Sequence, residues 1–332
     1  MNVGEKPSLL SPVTTIYVVF IILWMAGRLL IFDQFWLLAM LNTVAEYLFV
    51  PLPILLFIGT WKRDRLSLAE LCIPLLLFLL MFGHLFWPPS PKERIEDKQA
   101  ITLMSFNVLY NNTAYAAIVD SIQSADPDVV GFQELTPTTA ASIIEELESG
   151  YPYNTFQYLE TGLGTGVLSK FPIESAEQFD MPPLDRALHT VIQMDGTNVH
   201  MIVVHLTHNN FFNPSTTPFV TLVNERYGYR EKETMQLTQM IQDLDSPVLL
   251  LCDCNMTDTS EAYARLDTVL EDSFSETGWG LGHTLLLTQL PFPIQRIDYI
   301  WHTEEFEAIA AYRGQDGGSD HLPIVAKLRL TR

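Results

Sequence analysis

Three long apolar runs crowd the N-terminal part of the chain: residues 13–32 (VTTIYVVFIILWMAGRLLIF), 35–60 (FWLLAMLNTVAEYLFVPLPILLFIGT) and 68–87 (LAELCIPLLLFLLMFGHLFW). Each is long enough to cross a hydrocarbon core that takes ~20 helical residues. None keeps the polar face that a helix packed on a soluble core turns toward water. One such run is ordinarily a buried globular helix; three in succession point to membrane spans. A cleaved signal peptide would account for the first, but the run is long and no small-residue cleavage pattern follows it. Residues 1–87 are therefore expected to form a membrane anchor with three transmembrane helices.

Orientation follows from the loops. The loop between the second and third runs, WKRDRLS, holds Lys62, Arg63 and Arg65, whereas the loop between the first and second holds Asp33 and no basic residue. Lys and Arg stay on the cytoplasmic side. Three spans then place the rest of the chain outside the cytoplasmic membrane. Lys92, Arg94 and Lys98 argue the other way, though Glu93, Glu96 and Asp97 lie among them.

Charge is divided unevenly. Of 39 acidic and 19 basic residues, 31 acidic and 11 basic lie beyond residue 98, so that part carries the whole net charge of −20. A domain so acidic repels polyanions at long range, which disfavours nucleic acid as a partner. The three cysteines provide no disulfide framework: Cys72 lies in a span, and Cys252 and Cys254, two apart on a predicted strand, are not expected to bridge each other.

Residues 88–100, PPSPKERIEDKQA, read as a linker. At roughly 3.1–3.5 Å per residue it reaches about 40 Å, which keeps the following domain near the bilayer. From residue 101 to 332, strand-like runs (ITLMSFNVL, DVVGFQEL, GTGVLSKFPI, PVLLLCDCN, RIDYIWHT, HLPIVAKLRL) alternate with helical ones (NTAYAAIVDSIQSA, TPTTAASIIEELES, REKETMQLTQMIQDL), and residues 189–208 read as a hairpin turning at Asp195-Gly196. The pattern predicts one α/β sandwich domain with mixed sheets.

Polar residues recur at strand ends. Asn107 closes TLMSFN, Glu134 closes VVGFQE, His205 closes HMIVVH, and Asp253 with Asn255 closes VLLLCDCN; Asp298 interrupts RIDYIW, and Asp320-His321 opens the last strand. Any one of these is commonly a turn residue. Six strands ending this way describe the rim of a site. A carboxylate with oxygen-rich neighbours suits a hard ion such as Mg²⁺. Asp253 and Asn255, at i and i+2 of a strand, would share a face, the Asp to orient or deprotonate a water and the Asn to donate to a phosphorane oxygen. A His backed by an Asp supplies an oriented imidazole. Together these residue types fit metal-assisted hydrolysis of a phosphoester.

In this ordered set (SFNVLYNN, DVVGFQEL, GTGVLSKFPI, IVVHLTHN, LLCDCN, RIDYIW, GSDHLPI) the chain resembles the endonuclease/exonuclease/phosphatase superfamily over residues 101–330. Membrane-tethered members similar to glycopeptide-resistance proteins share the layout of short spans followed by this domain. The resemblance implies a deoxyribonuclease-like four-layer α/β sandwich with two mixed β-sheets. It implies Mg²⁺, or Mn²⁺, on Glu134 with Asn107 beside it and Asp320 at the metal side. Asp253 would position the water, Asn255 would meet the phosphate, His321 held by Asp298 would meet the scissile phosphate, and His205 would be the second catalytic histidine. Cys252 departs from the family's usual Gly before the Asp. Arg186, His208 and Asn209 are candidates for substrate contact, ETGWGLGH (276–283) for a substrate loop, and the aromatic segment 209–229 for a lid over acyl or prenyl chains; His189, His200, His283 and His302 are assigned structural roles. The expected function is a membrane-anchored phosphoesterase acting on a lipid or polyprenyl phosphate; the alternatives are a surface nuclease and a catalytically inactive tethered binding module.

Overall fold

The computed structural model describes residues 10–87, 100–158, 162–181, 185–194, 196–209, 217–245, 247–287 and 289–331. The expected linker lies outside the described residues except for Ala100, which already begins the first strand. The chain divides into two compact units, Met1–Trp87 with Thr259–Glu261, and Pro88–Asp258 with Ala262–Arg332.

Three helical stretches of the first unit are long and apolar enough to cross a membrane: Leu10–Ile31, Ala45–Lys62 and Arg65–Phe86. The middle one corrects the expectation of a continuous span over 35–60. The run is broken into a helix Trp36–Thr43, a 3₁₀ turn Ala45–Phe49 and a helix Pro51–Lys62. Proline explains the second break: Pro51 has no N–H to give to a preceding turn, and it takes a first-turn position where none is needed. The polar groups near the first break have partners. The Trp24 indole donates to Asn42 Oδ1 at 3.0 Å, and the Asn42 amide donates to Asp33 Oδ1 at 2.7 Å.

The second unit is built on two six-stranded sheets. The first runs in the order Phe306–Arg313, Ile324–Leu330, Ala100–Asn107, Val129–Leu135, Gly164–Ser169, Tyr153–Tyr158. The second runs Ile173–Met181, Asp185–Met194, Thr197–His205, Val248–Asp253, Asp298–His302, Glu271–Asp272. Each sheet is antiparallel except for one central parallel pair: Ala100–Asn107 beside Val129–Leu135, and Thr197–His205 beside Val248–Asp253. A parallel pair requires a crossover. Helix Tyr115–Ala125 lies in the first crossover and helix Phe219–Gln242 in the second.

Three apolar clusters define four layers. Leu103, Val129, Ile324 and Ala326 of one sheet meet Val203, Leu249, Leu251 and Ile300 of the other. Outside the first sheet, Met104, Phe132 and Val325 pack on Ile118, Ile122 and Ile143 of helices Tyr115–Ala125 and Pro137–Leu147. Outside the second, Ile202, Leu250 and Trp301 pack with Leu237, Ile241 and Tyr263 of helices Phe219–Gln242 and Glu261–Leu266. Gly131 sets the closeness of the two sheets, because a Cβ there would come within 2.8 Å of Leu251 and 3.0 Å of Val203. The expected four-layer α/β sandwich with two mixed sheets is the fold observed.

Helix Phe219–Gln242 corrects the lid reading of 209–229. Phe219, Tyr227 and Tyr229 lie on this helix rather than in a loop, and Tyr227 is buried under the Arg230 guanidinium. Phe211 and Phe212 lie outside the described residues.

Candidate active site

The two parallel pairs decide where the site forms. Their four strands end at Asn107, Leu135, His205 and Asp253, so the last side chains of each pair emerge at one edge of the sandwich. Gln133 bridges the sheets just before that edge, its amide donating to Ser105 Oγ at 3.1 Å and to the Leu251 carbonyl at 3.4 Å. Glu134 follows with φ +54°, a left-handed backbone rare for a residue with a long side chain, where the pairing with Gly164–Ser169 shifts register. Such bulges re-aim a side chain out of the strand's alternation. Here the Glu134 carboxylate accepts from Tyr110 N–H at 3.1 Å and lies 3.4 Å from the Asn107 amide nitrogen.

Asp253 is the meeting point of the two sheets. It is buried, and its Oδ2 accepts from Asn107 Nδ2 at 2.7 Å. His205 Nε2 lies 3.5 Å and His321 Nε2 3.8 Å from the same oxygen, and His205 Nε2 lies 4.0 Å from Glu134 Oε1. Two imidazoles and three side chains of the strand ends thus converge within one small volume.

His321 is held by its other nitrogen. Nδ1 lies 2.8 Å from Asp298 Oδ2, and the same carboxylate oxygen accepts from Thr284 Oγ1 at 2.6 Å. Burial alone would lower the His321 pKa; the carboxylates of Asp298 and Asp253 outweigh it and push the pKa up to about 10. At neutral pH the ring is therefore a cation with Nε2–H directed at the cluster. The turn before it is fixed by Gly318, in left-handed backbone at φ +78°, and by Ser319, whose hydroxyl donates to the Asn107 carbonyl at 2.7 Å and accepts from His321 N–H at 3.1 Å.

Asp320 adds a further carboxylate, its Oδ1 4.0 Å from His321 Nε2. Its Oδ1 is buried with no hydrogen-bond partner, and its carboxyl is raised by burial, with Glu134 and Asp253 adding to the effect against His321. Several carboxylates gathered at one edge, one oxygen of them without a hydrogen-bond partner, fit a hard divalent cation. Asp253, Asp298 and His321 also offer ligand atoms within 4.8 Å of one another, but the His321–Asp298 hydrogen bond already occupies two of them.

Three expectations change in detail. Asn255 does not share a strand face with Asp253, because the strand Val248–Asp253 ends first and Asn255 turns left-handed at φ +50°. Its backbone N–H donates to Asp253 Oδ1 at 3.2 Å and its side-chain amide to the Leu206 carbonyl at 3.1 Å. Cys252 and Cys254, expected to stay apart, form a disulfide across Asp253. Cys254 has left the strand and gives its N–H to Ile297 O, which brings the two Cα atoms to 5.0 Å. Asn107 turns its oxygen back to Leu109 N–H at 3.0 Å and presents its amide nitrogen to the two carboxylates. Arg186 lies on strand Asp185–Met194, its side chain outside the described residues. His208 is half-buried, and Asn209 presents its oxygen to Arg230.

Arg230 was missed by sequence reasoning. It is buried and donates to the carbonyls of Thr207 at 3.2 Å and Asn255 at 2.7 Å, as well as to Asn209, which ties together the loops that follow His205 and Asp253. Glu233, one turn on, accepts from Thr207 N–H at 3.0 Å and from its hydroxyl at 2.7 Å. The signal was present: Val223, Tyr227, Arg230, Thr234, Leu237 and Ile241 follow the 3–4 spacing of a single buried helix face. Thr284 was missed too, and Ser319, though it stands within GSDHLPI, was given no role.

No curated protein matches the chain in sequence. Solved structures share its fold. An endonuclease/exonuclease/phosphatase family protein from Bacteroides thetaiotaomicron is 17% identical with a TM-score of 0.56, the match covering 69% of this chain and 94% of that one. A mannosyl-6-phosphatase from the same organism is 16% identical, with a TM-score of 0.54 over 69% and 99% of the two chains. The human Nocturnin catalytic domain with bound sulfate anion is 16% identical, with a TM-score of 0.55 over 70% and 95%. Residues 104–321, more than half of the chain, match the model of one family. The chain belongs to the Endonuclease/Exonuclease/phosphatase family.

Proposed function

We propose that this protein is a membrane-anchored, divalent-metal-dependent phosphoesterase that hydrolyses a lipid or polyprenyl phosphate at the outer face of the cytoplasmic membrane. The observation that carries the hydrolytic reading is the convergence of His205 and the Asp298-held His321 on Asp253, with Glu134 and Asp320 alongside. Family membership supports phosphoester hydrolysis as the reaction class. Glu134, with Asn107 beside it and Asp320 at the other side, would hold the cation, Mg²⁺ or Mn²⁺. When bound, the cation supplies neutralisation of the phosphate oxygens. Asp253 orients the attacking water and takes its proton. The His321 imidazolium, fixed by Asp298, donates to a phosphate oxygen, and Asn255 steadies Asp253 through its backbone N–H. His205, next to Asp253, serves the leaving oxygen. Arg186, His208 and Asn209 are assigned to substrate contact.

A lipid substrate is favoured over nucleic acid by three features: helices apolar enough to cross a membrane, an acidic domain that repels polyanions at long range, and a short connection between the two. The Cys252–Cys254 disulfide supports the outer location, since disulfides persist in oxidising compartments. The full-length protein in lipid nanodiscs with Mg²⁺ is expected to cleave a prenyl phosphate or a phospholipid headgroup at least ~10-fold faster than DNA or RNA. That ratio corresponds to roughly 1.4 kcal/mol of discrimination. Faster cleavage of nucleic acid would establish the nuclease reading, and no cleavage of any substrate with Mg²⁺ or Mn²⁺ would establish the binding module. A reporter fused after Arg332 should score as extracytoplasmic and one at Arg65 as cytoplasmic; the reverse result would move the substrate inside the cell.

A further inference from the structure

We infer that the segment 277–295 is a bilayer-contacting element that seats the site at the lipid surface, an inference resting on the lipid-substrate reading above. In TGWGLGHTLLLTQLPFPIQ there is no Asp, Glu, Lys or Arg, although the domain around it carries the chain's whole net charge of −20. A surface that acidic is repelled by anionic headgroups, and this stretch is free of the repulsion. It is also apolar where it meets solvent. Leu285–Leu286 and Pro293–Gln295 form a two-stranded hairpin, and Leu287 (40%), Leu290 (38%) and Phe292 (54%) stand exposed between or beside the strands, with Trp279 at 67%. Soluble surfaces carry scattered apolar residues without consequence, but several close together on one hairpin mark an interaction surface.

The hairpin is joined to the residues assigned to catalysis. Leu285 forms a β-bridge with His321, and Leu286 N–H donates to the Asp320 carbonyl at 2.7 Å. Leu322 N–H donates to the Thr284 carbonyl at 2.9 Å, and the Thr284 hydroxyl donates to Asp298. Whatever holds the hairpin therefore also holds the turn that carries His321. The occupant follows from the tether. The described residues of the first unit end at Trp87 and the first strand starts at Ala100, so the connection spans at most about 45 Å when fully extended. That is close to the diameter of a domain of this size, roughly 45 Å. A lipid surface is thus always within reach of the hairpin, at a high effective concentration.

The test uses the full-length chain in nanodiscs with Cys72→Ser to remove the free thiol and the Cys252–Cys254 disulfide kept. An environment-sensitive fluorophore is attached at Leu290→Cys or Phe292→Cys, and at Glu146→Cys on helix Pro137–Leu147 for comparison. Labels at 290 and 292 should be quenched roughly twofold or more by nitroxides on the lipid acyl chains, and should be shielded from aqueous iodide, as expected for side chains ~5–10 Å into the headgroup boundary. The label at 146 should show the opposite pattern. Iodide access at 290 and 292 equal to that at 146, without nitroxide quenching, would overturn the inference. Shielding from iodide without nitroxide quenching would also overturn it, since that pattern means a protein covers the hairpin. None of these readouts involves turnover. Nitroxide quenching in a protein that cleaves no lipid would therefore refute the substrate reading and leave membrane contact standing.

Discussion

His321→Ala is expected to lower turnover by about 10²–10⁴-fold, the range contributed by a positioned acid–base or charge-donating group. Asp298 holds Nδ1 at 2.8 Å and so leaves Nε2 as the nitrogen able to act on a substrate. Asp298→Asn should cost somewhat less, because an amide oxygen can still accept from Nδ1–H but without the negative charge that keeps the ring protonated. Residues that act as a unit are non-additive. The double variant should accordingly be hardly slower than His321→Ala alone. Rates for the three variants at matched folded fraction decide the matter. Near-normal turnover for His321→Ala would reduce the pair to an edge contact between Thr197–His205's sheet and the last strand. Multiplication of the two single losses would leave the histidine catalytic but independent of Asp298.

Glu134→Gln should reduce activity by orders of magnitude at low Mg²⁺. The amide keeps the shape of the side chain and its acceptance from Tyr110 N–H, but removes the charge. A weakened cation site shows itself as a rightward shift in the Mg²⁺ dependence, with partial recovery at high concentration. A purely structural role predicts a loss that no amount of Mg²⁺ repairs. Unchanged activity with an unchanged Mg²⁺ dependence would remove Glu134 from the site. Melting temperature is the control, and it should move little, since the carboxylate lies at the rim rather than in the packed layers between the sheets.

Much of this site is legible in the amino-acid sequence. Asn107, Glu134, His205 and Asp253 each close an apolar run, and a parallel pair delivers its two strand ends to the same edge of a sheet. Strand ends are readable because alternation stops there. The residues that hold the site are harder to read. Arg230 sits in YREKE, where neighbouring charges make the segment look solvated, and only its helical phase shows that it is buried. Thr284 and Ser319 act through one hydroxyl each, reaching Asp298 and the Asn107 carbonyl across 14 and 212 positions. The left-handed turns at Glu134 and Asn255 are tertiary effects, imposed by a bulge and by the end of a strand. The break in the second apolar run follows from Pro51 within a stretch whose hydropathy alone reads as continuous.

The pairing of the first strand with the last has a consequence for when activity can arise. Ala100 lies opposite Arg329 and Ser105 opposite Ile324, so Ala100–Asn107 acquires its second neighbour only after the C-terminal strand has arrived. The same arrival brings Ser319 to the Asn107 carbonyl and His321 to Asp298. Contacts between residues more than two hundred positions apart form late, because the loop they close must lose its freedom before the contact repays it. A chain that stops between residues 299 and 318 carries Glu134, Asp253 and Asp298 but not the histidine that pairs with Asp298. In such a chain Ala100–Asn107 lacks the last strand beside it, and Asn107 lacks the hydroxyl that fixes its carbonyl.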